Sequence, residues 1–385
     1  MYDVIIVGGG PAGSYVAYRL ASLGYEVLVF EEHEWIGEPV KCTGIIGAEC
    51  VDRFPLFEGT VLQDVSSARL FSPSRREIRV WRDWVQAYIV DRAAFDLSLA
   101  QKAQQRGARY ILGSRVRDIE ALDDCVRIGT ETLETYKAKT AVIASGFGSN
   151  LPQKLGLGSV GDVVGGAQTE VSIESQSEIE VYLDQGVAPG FFAWFVPLST
   201  NRALVGLFSR KKPGEYLVSL LASLFHQGKI ASPEGKIVSR GIPLRPLPKT
   251  YRERVIVVGD AAGQVKPTTG GGIYYGLLCA EVAAETLNQA LSTGDFSESI
   301  FSGYEKAWRE MIGRELKLGY LTRRLYGTLS NRQIDYLFRT IESRGIHQAM
   351  LQSAELSFEW HSDAILMGLK YIGPWRYLFG WRGKT

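Results

Sequence analysis

The sequence predicts an α/β chain, α+β overall, in which a parallel-sheet domain is interrupted by a β-rich insertion and followed by a helical region. Three observations predict it. A strand, a glycine turn, a helix and a second strand fill the first thirty or so residues. Alternating strand candidates without a strong helical period fill 160–210, and another parallel-type strand returns at 254–258 ahead of a glycine-rich turn and a helix.

The run YDVIIV at 2–7 is short, apolar and β-branched, 8–13 is a tight glycine turn, and 14–23 reads as a helix that Gly24 ends. EVLVF at 26–30 completes a βαβ unit, because parallel strands require a crossover. Residues 31–60, with Gly37, Pro39, Gly44 and Gly47, suit a loop that closes over a ligand. Residues 61–90 then alternate as strands. RAAFDLSLAQKAQQR at 92–106 carries Phe95, Leu97, Leu99 and Ala103, which predicts an amphipathic helix stopped by Gly107. Strands at 109–112 and 141–144 return to the first lobe. Beyond the aromatic cluster at 191–195 a helix is expected over 214–227, and another over 273–291.

These elements divide the chain into a discontinuous Rossmann-like domain at 1–60, 86–159 and 250–296, a β-rich domain at 61–85 and 160–249, and a C-terminal helical region at 297–385. Gly313, Gly319 and Gly345 are the expected breaks in the last region.

Forty-three Lys and Arg balance 42 Asp and Glu, so global charge gives no ground for a nucleic-acid partner. Cys42, Cys50, Cys125 and Cys279 are scattered, without the spacing a zinc ion or iron–sulfur cluster needs, and fit a reduced, cytoplasmic setting. No basic leader precedes the first strand, and no run reaches the roughly 18 apolar residues of a bilayer span.

Two motifs carry chemistry. Gly8-x-Gly10-x-Ala12-Gly13 sits between strand and helix, where glycines allow a tight turn and let backbone N–H groups at the positive helix end meet a pyrophosphate. Glu31 ends the second strand, where a carboxylate accepts hydrogen bonds from a ribose diol; Glu32 is the adjacent alternative. Gly156-x-Gly158-x-x-Gly161 has the same spacing but follows a loop and leads towards strand, so it is a chance match. The second motif is VIVVGDAAGQVKPTTGGGI at 255–273, with Asp260 after a buried strand and Gly270 to Gly272 before a helix.

Together these motifs resemble the flavoproteins of the p-hydroxybenzoate hydroxylase fold and imply FAD as cofactor. By that resemblance Asp260 contacts the ribityl chain, while Gly272 and Ile273 present backbone near the isoalloxazine, where a helix N-terminus favours the anionic reduced ring.

Within that fold three further stretches are similar to the geranylgeranyl reductase family, which saturates isoprenoid double bonds. EPVKCTG at 38–44 resembles the family's cysteine-bearing flavin loop, with Cys42 and Thr43 beside the cofactor. YIVDRAAFD at 88–96 resembles its Arg-x-x-Phe-Asp helix start, with Arg92 towards flavin or pyrophosphate, and Val116 falls where the family contacts the adenine side. PGFFAWFVP at 189–197 is similar to a substrate-facing signature in which Phe192, Trp194 and Pro197 would meet the substrate. Phe192 and Val196 replace a tyrosine and a phenylalanine there, and Ser145-Gly146 stands where many members of the p-hydroxybenzoate hydroxylase fold have Asp-Gly. Lys266 stands where an acidic residue is common, either as a charge beside the flavin or as a solvated loop lysine.

The resemblance implies hydride transfer to an isolated alkene of a geranylgeranyl lipid or diphosphate, with electrons from NADPH or a small redox protein. Cys42 is the candidate catalytic residue, as proton donor; Tyr274, Tyr275 and His33 are weaker candidates. A monooxygenase or halogenase of the same fold, or an electron carrier without its own substrate, are the alternatives. Trp360, Tyr371, Trp375, Tyr377, Phe379 and Trp381 interleave with Lys370, Arg376, Arg382 and Lys384, which suits peripheral membrane contact or a packed terminal helix.

Overall fold

In a computed structural model, residues 1–54, 56–174, 178–352 and 357–372 are described. The class is α/β as expected. The strand Tyr2–Val7 lies at the centre of a sheet of eight strands, paired in parallel with Val27–Phe30 on one side and Thr135–Ile143 on the other. Val255–Val257 extends the sheet beyond 135–143, with Ala141 opposite Val255, so residues more than a hundred positions apart are neighbouring strands.

The central strand is buried on both faces, which explains its unbroken apolar run. Val4 and Ile6 face the helices Pro11–Ser22, Arg92–Gln105 and Ile273–Thr293, in one core with Leu20, Phe95 and Leu277. Ile5 and Val7 face the opposite way, against Ile128 of the hairpin Val116–Ala121 and Val126–Thr130 and against Leu151. In the 92–105 helix Phe95, Leu99 and Ala103 share the buried side, whereas Leu97 is exposed because its spacing turns it away.

The second sheet has seven strands and is mainly antiparallel; its 193–197 strand pairs with Ile179–Tyr182 and Arg202–Ser209. Alternation divides its side chains. Ala193 and Phe195 pack towards the helix Pro213–His226, and Trp194 and Val196 pack on the other face with Phe208 and Val265. Val61–Val65 does not join this sheet. It pairs with Ala87–Val90, which also pairs with Ile45–Gly47, so only the strands Ser67–Phe71 and Glu77–Trp81 of the 61–85 segment enter the larger sheet.

The C-terminal region opens with one helix, Glu298–Tyr326, unbroken at Gly313 and Gly319. Gly319 serves packing instead: a Cβ there would lie 3.3 Å from the Pro267 ring. Residues 357–361 then form a non-helical strap across the first domain. Of the tail's aromatic and basic residues Trp360 lies on this strap, Lys370 and Tyr371 fall in the last described helix, Ser362–Ile372, and 375–384 lie outside the described residues. No helix among the described residues is long and apolar enough to cross a membrane.

Candidate cofactor site

The opening strand stops at Gly8, whose φ of +110° favours glycine. A Cβ at Gly8 would meet the Ala144 carbonyl oxygen at 2.3 Å, and one at Gly13 would meet the Gly8 oxygen at 2.0 Å. These two glycines let helix and strand close on each other. At Gly10 an added Cβ meets nothing within 4 Å, so the approach to the helix N-terminus is open. It opens into a cavity of about 720 Å³, within the size range of cofactor sites.

Gly8, Gly10, Ala12, Glu31, Cys42, Arg92, Val116, Asp260, Gly272 and Ile273 all line this cavity. Gly13 lies beneath the turn. Thr43 is directed elsewhere, its hydroxyl donating to Gln168 Oε1 at 3.1 Å. Glu31 is held from two sides: Gly9 N–H donates to Oε2 at 2.8 Å and His33 N–H to Oε1 at 3.1 Å. Glu32 instead pairs with exposed Arg115 at 3.3 Å.

Arg92 binds both oxygens of Asp96, one turn along its helix, at 2.7 and 2.9 Å. Burial opposes its charge, but Asp96 and then Cys42 hold the guanidinium above its ordinary pKa. Its Nε is buried without a hydrogen-bond partner, as is the Ser145 hydroxyl, and both residues line the cavity. Two orphaned donors and the open glycine turn fit a polyanionic dinucleotide. Cys42 is the one cysteine of the four that is not fully buried; burial pushes the Cys50 and Cys279 thiols well up and leaves them inert.

Asp260 lies in a short turn, Gly259–Ala262, that is braced from behind. Gly259 N–H donates to Gln264 Oε1 at 2.8 Å, Gln264 Nε2 donates to the Tyr304 hydroxyl at 2.9 Å, and that hydroxyl donates to the Val257 carbonyl at 2.8 Å. All three are buried, so the relay fixes the loop at the strand end. From the second sheet Arg240 reaches into the same cavity and pairs with Asp260. Sequence reading singled out neither Arg240, Gln264 nor Tyr304; the contacts linking them to the site are tertiary.

Lys266 is not solvated. It is 5% exposed and bound to Glu359 of the strap at 2.5 Å. Glu359 also accepts from Gly47 N–H at 2.7 Å, and Tyr275, one of the weaker proton-donor candidates, donates its hydroxyl to the Glu359 carbonyl at 3.1 Å. Tyr274 is likewise engaged, donating to Glu49 at 2.6 Å, and His33 is turned to Glu31 at 2.5 Å.

The aromatic face stands beside the glycine turn. Phe192 and Trp194 pack around Phe208 with ring centroids 5.5 and 4.7 Å away, and a Cβ at Gly270 would lie 2.8 Å from Phe208 Cζ. Neither Phe192, Trp194 nor Pro197 lines the cofactor cavity itself; Pro197 is buried at the strand end opposite Ala203. Arg323 of the long helix caps this wall, its guanidinium 4.8 Å from the Phe191 ring centre while it donates to the Pro267 carbonyl at 3.3 Å. Burial draws its pKa down to about 10.

Comparisons with known proteins agree with this architecture. The family model described as lycopene cyclase protein matches residues 3–353. A digeranylgeranylglycerophospholipid reductase of Methanocaldococcus jannaschii is 33% identical, covering 88% of this chain and 90% of its own. A second such reductase, from Methanothermobacter thermautotrophicus, is 30% identical over 90% and 93%. Among solved structures, a geranylgeranyl bacteriochlorophyll reductase-like protein of Thermoplasma acidophilum superposes with a TM-score of 0.84 at 23% identity, covering 98% of this chain and 99% of that one. A flavin-dependent brominase shares the fold with a TM-score of 0.67 at 18% identity, over 94% and 96%. The cavity lies in a flavoprotein fold, and by its identity to these relatives over nearly their whole length, the chain belongs to the geranylgeranyl reductase family, that of the digeranylgeranylglycerophospholipid reductases.

Proposed function

We propose that the chain is an FAD-dependent reductase that saturates isolated double bonds of geranylgeranyl chains carried by a lipid or diphosphate. The observation that carries the reading is the junction of the two lobes, where the Gly270–Gly272 turn lines the cofactor cavity on one side and meets the Phe208 ring on the other. A polar dinucleotide cradle thus adjoins an apolar aromatic wall, the pairing that reduction of an isoprenoid requires.

In this reading Glu31 takes the ribose, the glycine turn and helix N-terminus take the pyrophosphate, and Asp260 takes the ribityl hydroxyls. FAD, once reduced, supplies the hydride. Phe192 and Trp194 exclude water and hold the chain to be reduced, and Cys42 gives the proton to the second carbon, the Arg92 guanidinium beside it stabilising the thiolate left behind. Electrons come from NADPH or a small redox protein, and the aromatic and basic residues of the C-terminal region are the candidate for peripheral contact with the membrane that holds the lipid.

The test is anaerobic. Reduced protein mixed with a geranylgeranyl glycerophospholipid should reoxidise, with two hydrogens gained per double bond by mass spectrometry. A colourless protein that takes up no FAD removes the reading, and product oxygenated only in air replaces it with a monooxygenase. Reduction by NADPH, compared with a reduced ferredoxin, identifies the donor, and failure of the whole protein to bind anionic liposomes removes the membrane contact.

A further inference from the structure

Lys266 lies directly behind the glycine turn that lines the cofactor cavity. Its backbone N–H donates to the Gly271 carbonyl at 3.0 Å, and its carbonyl accepts from Gly270 N–H at 2.8 Å. Its side chain curls under the turn, so that a Cβ on Gly271 would lie 3.0 Å from Lys266 Cε and 3.5 Å from Nζ. Gly270 and Gly272, on either side, face the cavity. The ammonium is therefore separated from the cavity by little more than one layer of backbone.

Its counter-charge comes from 93 residues away. Glu359 meets Nζ at 2.5 Å, the Phe358 carbonyl accepts from Nζ at 3.2 Å, and the Tyr275 and Phe358 rings stand 5.9 and 5.1 Å from it. Both side chains are nearly inaccessible, at 6% and 2%. Water screens such a pair poorly, and loss of one partner leaves the other charge uncompensated. The segment bearing Glu359 also lines a second cavity, of about 630 Å³, formed with 47–53 and 82–86.

We propose that Glu359 is a positioning residue that sets the electrostatic field behind the 270–272 turn and, through Lys266, the reduction potential of the flavin. The inference rests on the flavin reading above. An uncompensated cation at this place would stabilise the anionic reduced ring and raise the potential; Glu359 cancels that field and keeps the bound flavin a stronger reductant. Reduction of an isolated alkene calls for such a reductant.

The test is the midpoint potential of bound FAD at pH 6, measured in the full-length protein with dye equilibration, alongside FAD affinity and the visible spectrum. Glu359→Gln should raise the reduced-to-oxidised ratio at a fixed potential about tenfold, a shift of about 30 mV for a two-electron couple. Lys266→Gln should lower it, the double variant Lys266→Gln/Glu359→Gln should return close to wild type, and Glu359→Asp should keep the wild-type potential. A structural role alone would give a double variant at least as disturbed as either single one. Equal potentials in wild type and Glu359→Gln, or a double variant that tracks Glu359→Gln, overturn the inference; should Glu359→Gln fail to fold, an unlowered potential in Lys266→Gln does so. A colourless wild-type protein overturns the flavin reading first, whereas a yellow one with unmoved potentials overturns this inference alone.

Discussion

The Glu31 carboxylate and the Gly9 amide are joined by a 2.8 Å hydrogen bond that ties the end of the second strand to the glycine turn. The carboxylate proposed for the ribose is thus aimed before any ligand arrives, its other oxygen held by His33.

Replacing Glu31 by Gln removes the charge while preserving shape. Loss of charge-assisted bonds worth about 1.5–3 kcal/mol should weaken FAD binding roughly 10- to 150-fold. Fluorescence titration of the apoprotein measures this, and an unchanged dissociation constant would contradict the ribose assignment.

Tyr304→Phe tests the relay behind Asp260. It deletes the hydroxyl that serves both Gln264 and the Val257 carbonyl and leaves two buried groups unpaired. The expected cost is about 1–3 kcal/mol of stability, with faster FAD release. Thermal unfolding with and without FAD should show both effects; a variant as stable as wild type would mean that the loop holds itself.

Cys42→Ala should retain bound FAD yet slow alkene reduction about 10²- to 10⁴-fold, the usual range for a positioned proton donor. The discriminating measurement is single-turnover flavin reoxidation in H₂O and D₂O. Full activity with an unaltered solvent isotope effect would take the proton from elsewhere.

His361 provides a pH prediction. Burial, and then the Lys266 charge, draw its pKa from 6.5 to about 4. The neutral ring satisfies both contacts: Nε2–H donates to the Phe358 carbonyl at 3.0 Å, and Nδ1 accepts from the Thr268 hydroxyl at 2.6 Å. Because the unfolded chain takes up this proton first, the stabilisation is fully present above pH 6.5 and is lost as pH falls towards 4, by at most about 1.4 kcal/mol per pH unit. The melting temperature of wild type should fall more steeply over that window than that of His361→Asn; parallel slopes would exclude His361 as the source.

Much of the first lobe was legible because its signals are local. Periodicity, turn glycines and the strand-end acid mark the 2–7 strand, the 92–105 helix and the Glu31 position within windows of fewer than thirty residues. The class of the second sheet was legible from alternation, but not its edge, because nothing in 61–65 shows which neighbour the strand will choose. Lys266 could be marked as a charge near the glycine turn but not given its partner, since Glu359 arrives by tertiary packing alone. Gly313 and Gly319 read as breaks because helix propensity penalises glycine, whereas at 319 the close approach of Pro267 explains the residue.

The parallel sheet also has a timetable. Residues 2–7 leave the ribosome well before the rest of their sheet, and their neighbouring strand 135–143 gains its own outer partner only when 255–257 has been made, with Asp260 following directly. At about 5–20 residues per second, the nascent chain spends roughly 12 to 50 s with one half of its cofactor cradle and no other. From residue 143 to residue 257, roughly 6 to 23 s at that rate, the apolar edge of 135–143 is open to wrong pairing, so a chaperone that shields nascent strand edges should govern yield. Slowing translation between 144 and 254 should increase aggregation, and slowing it after 260 should not.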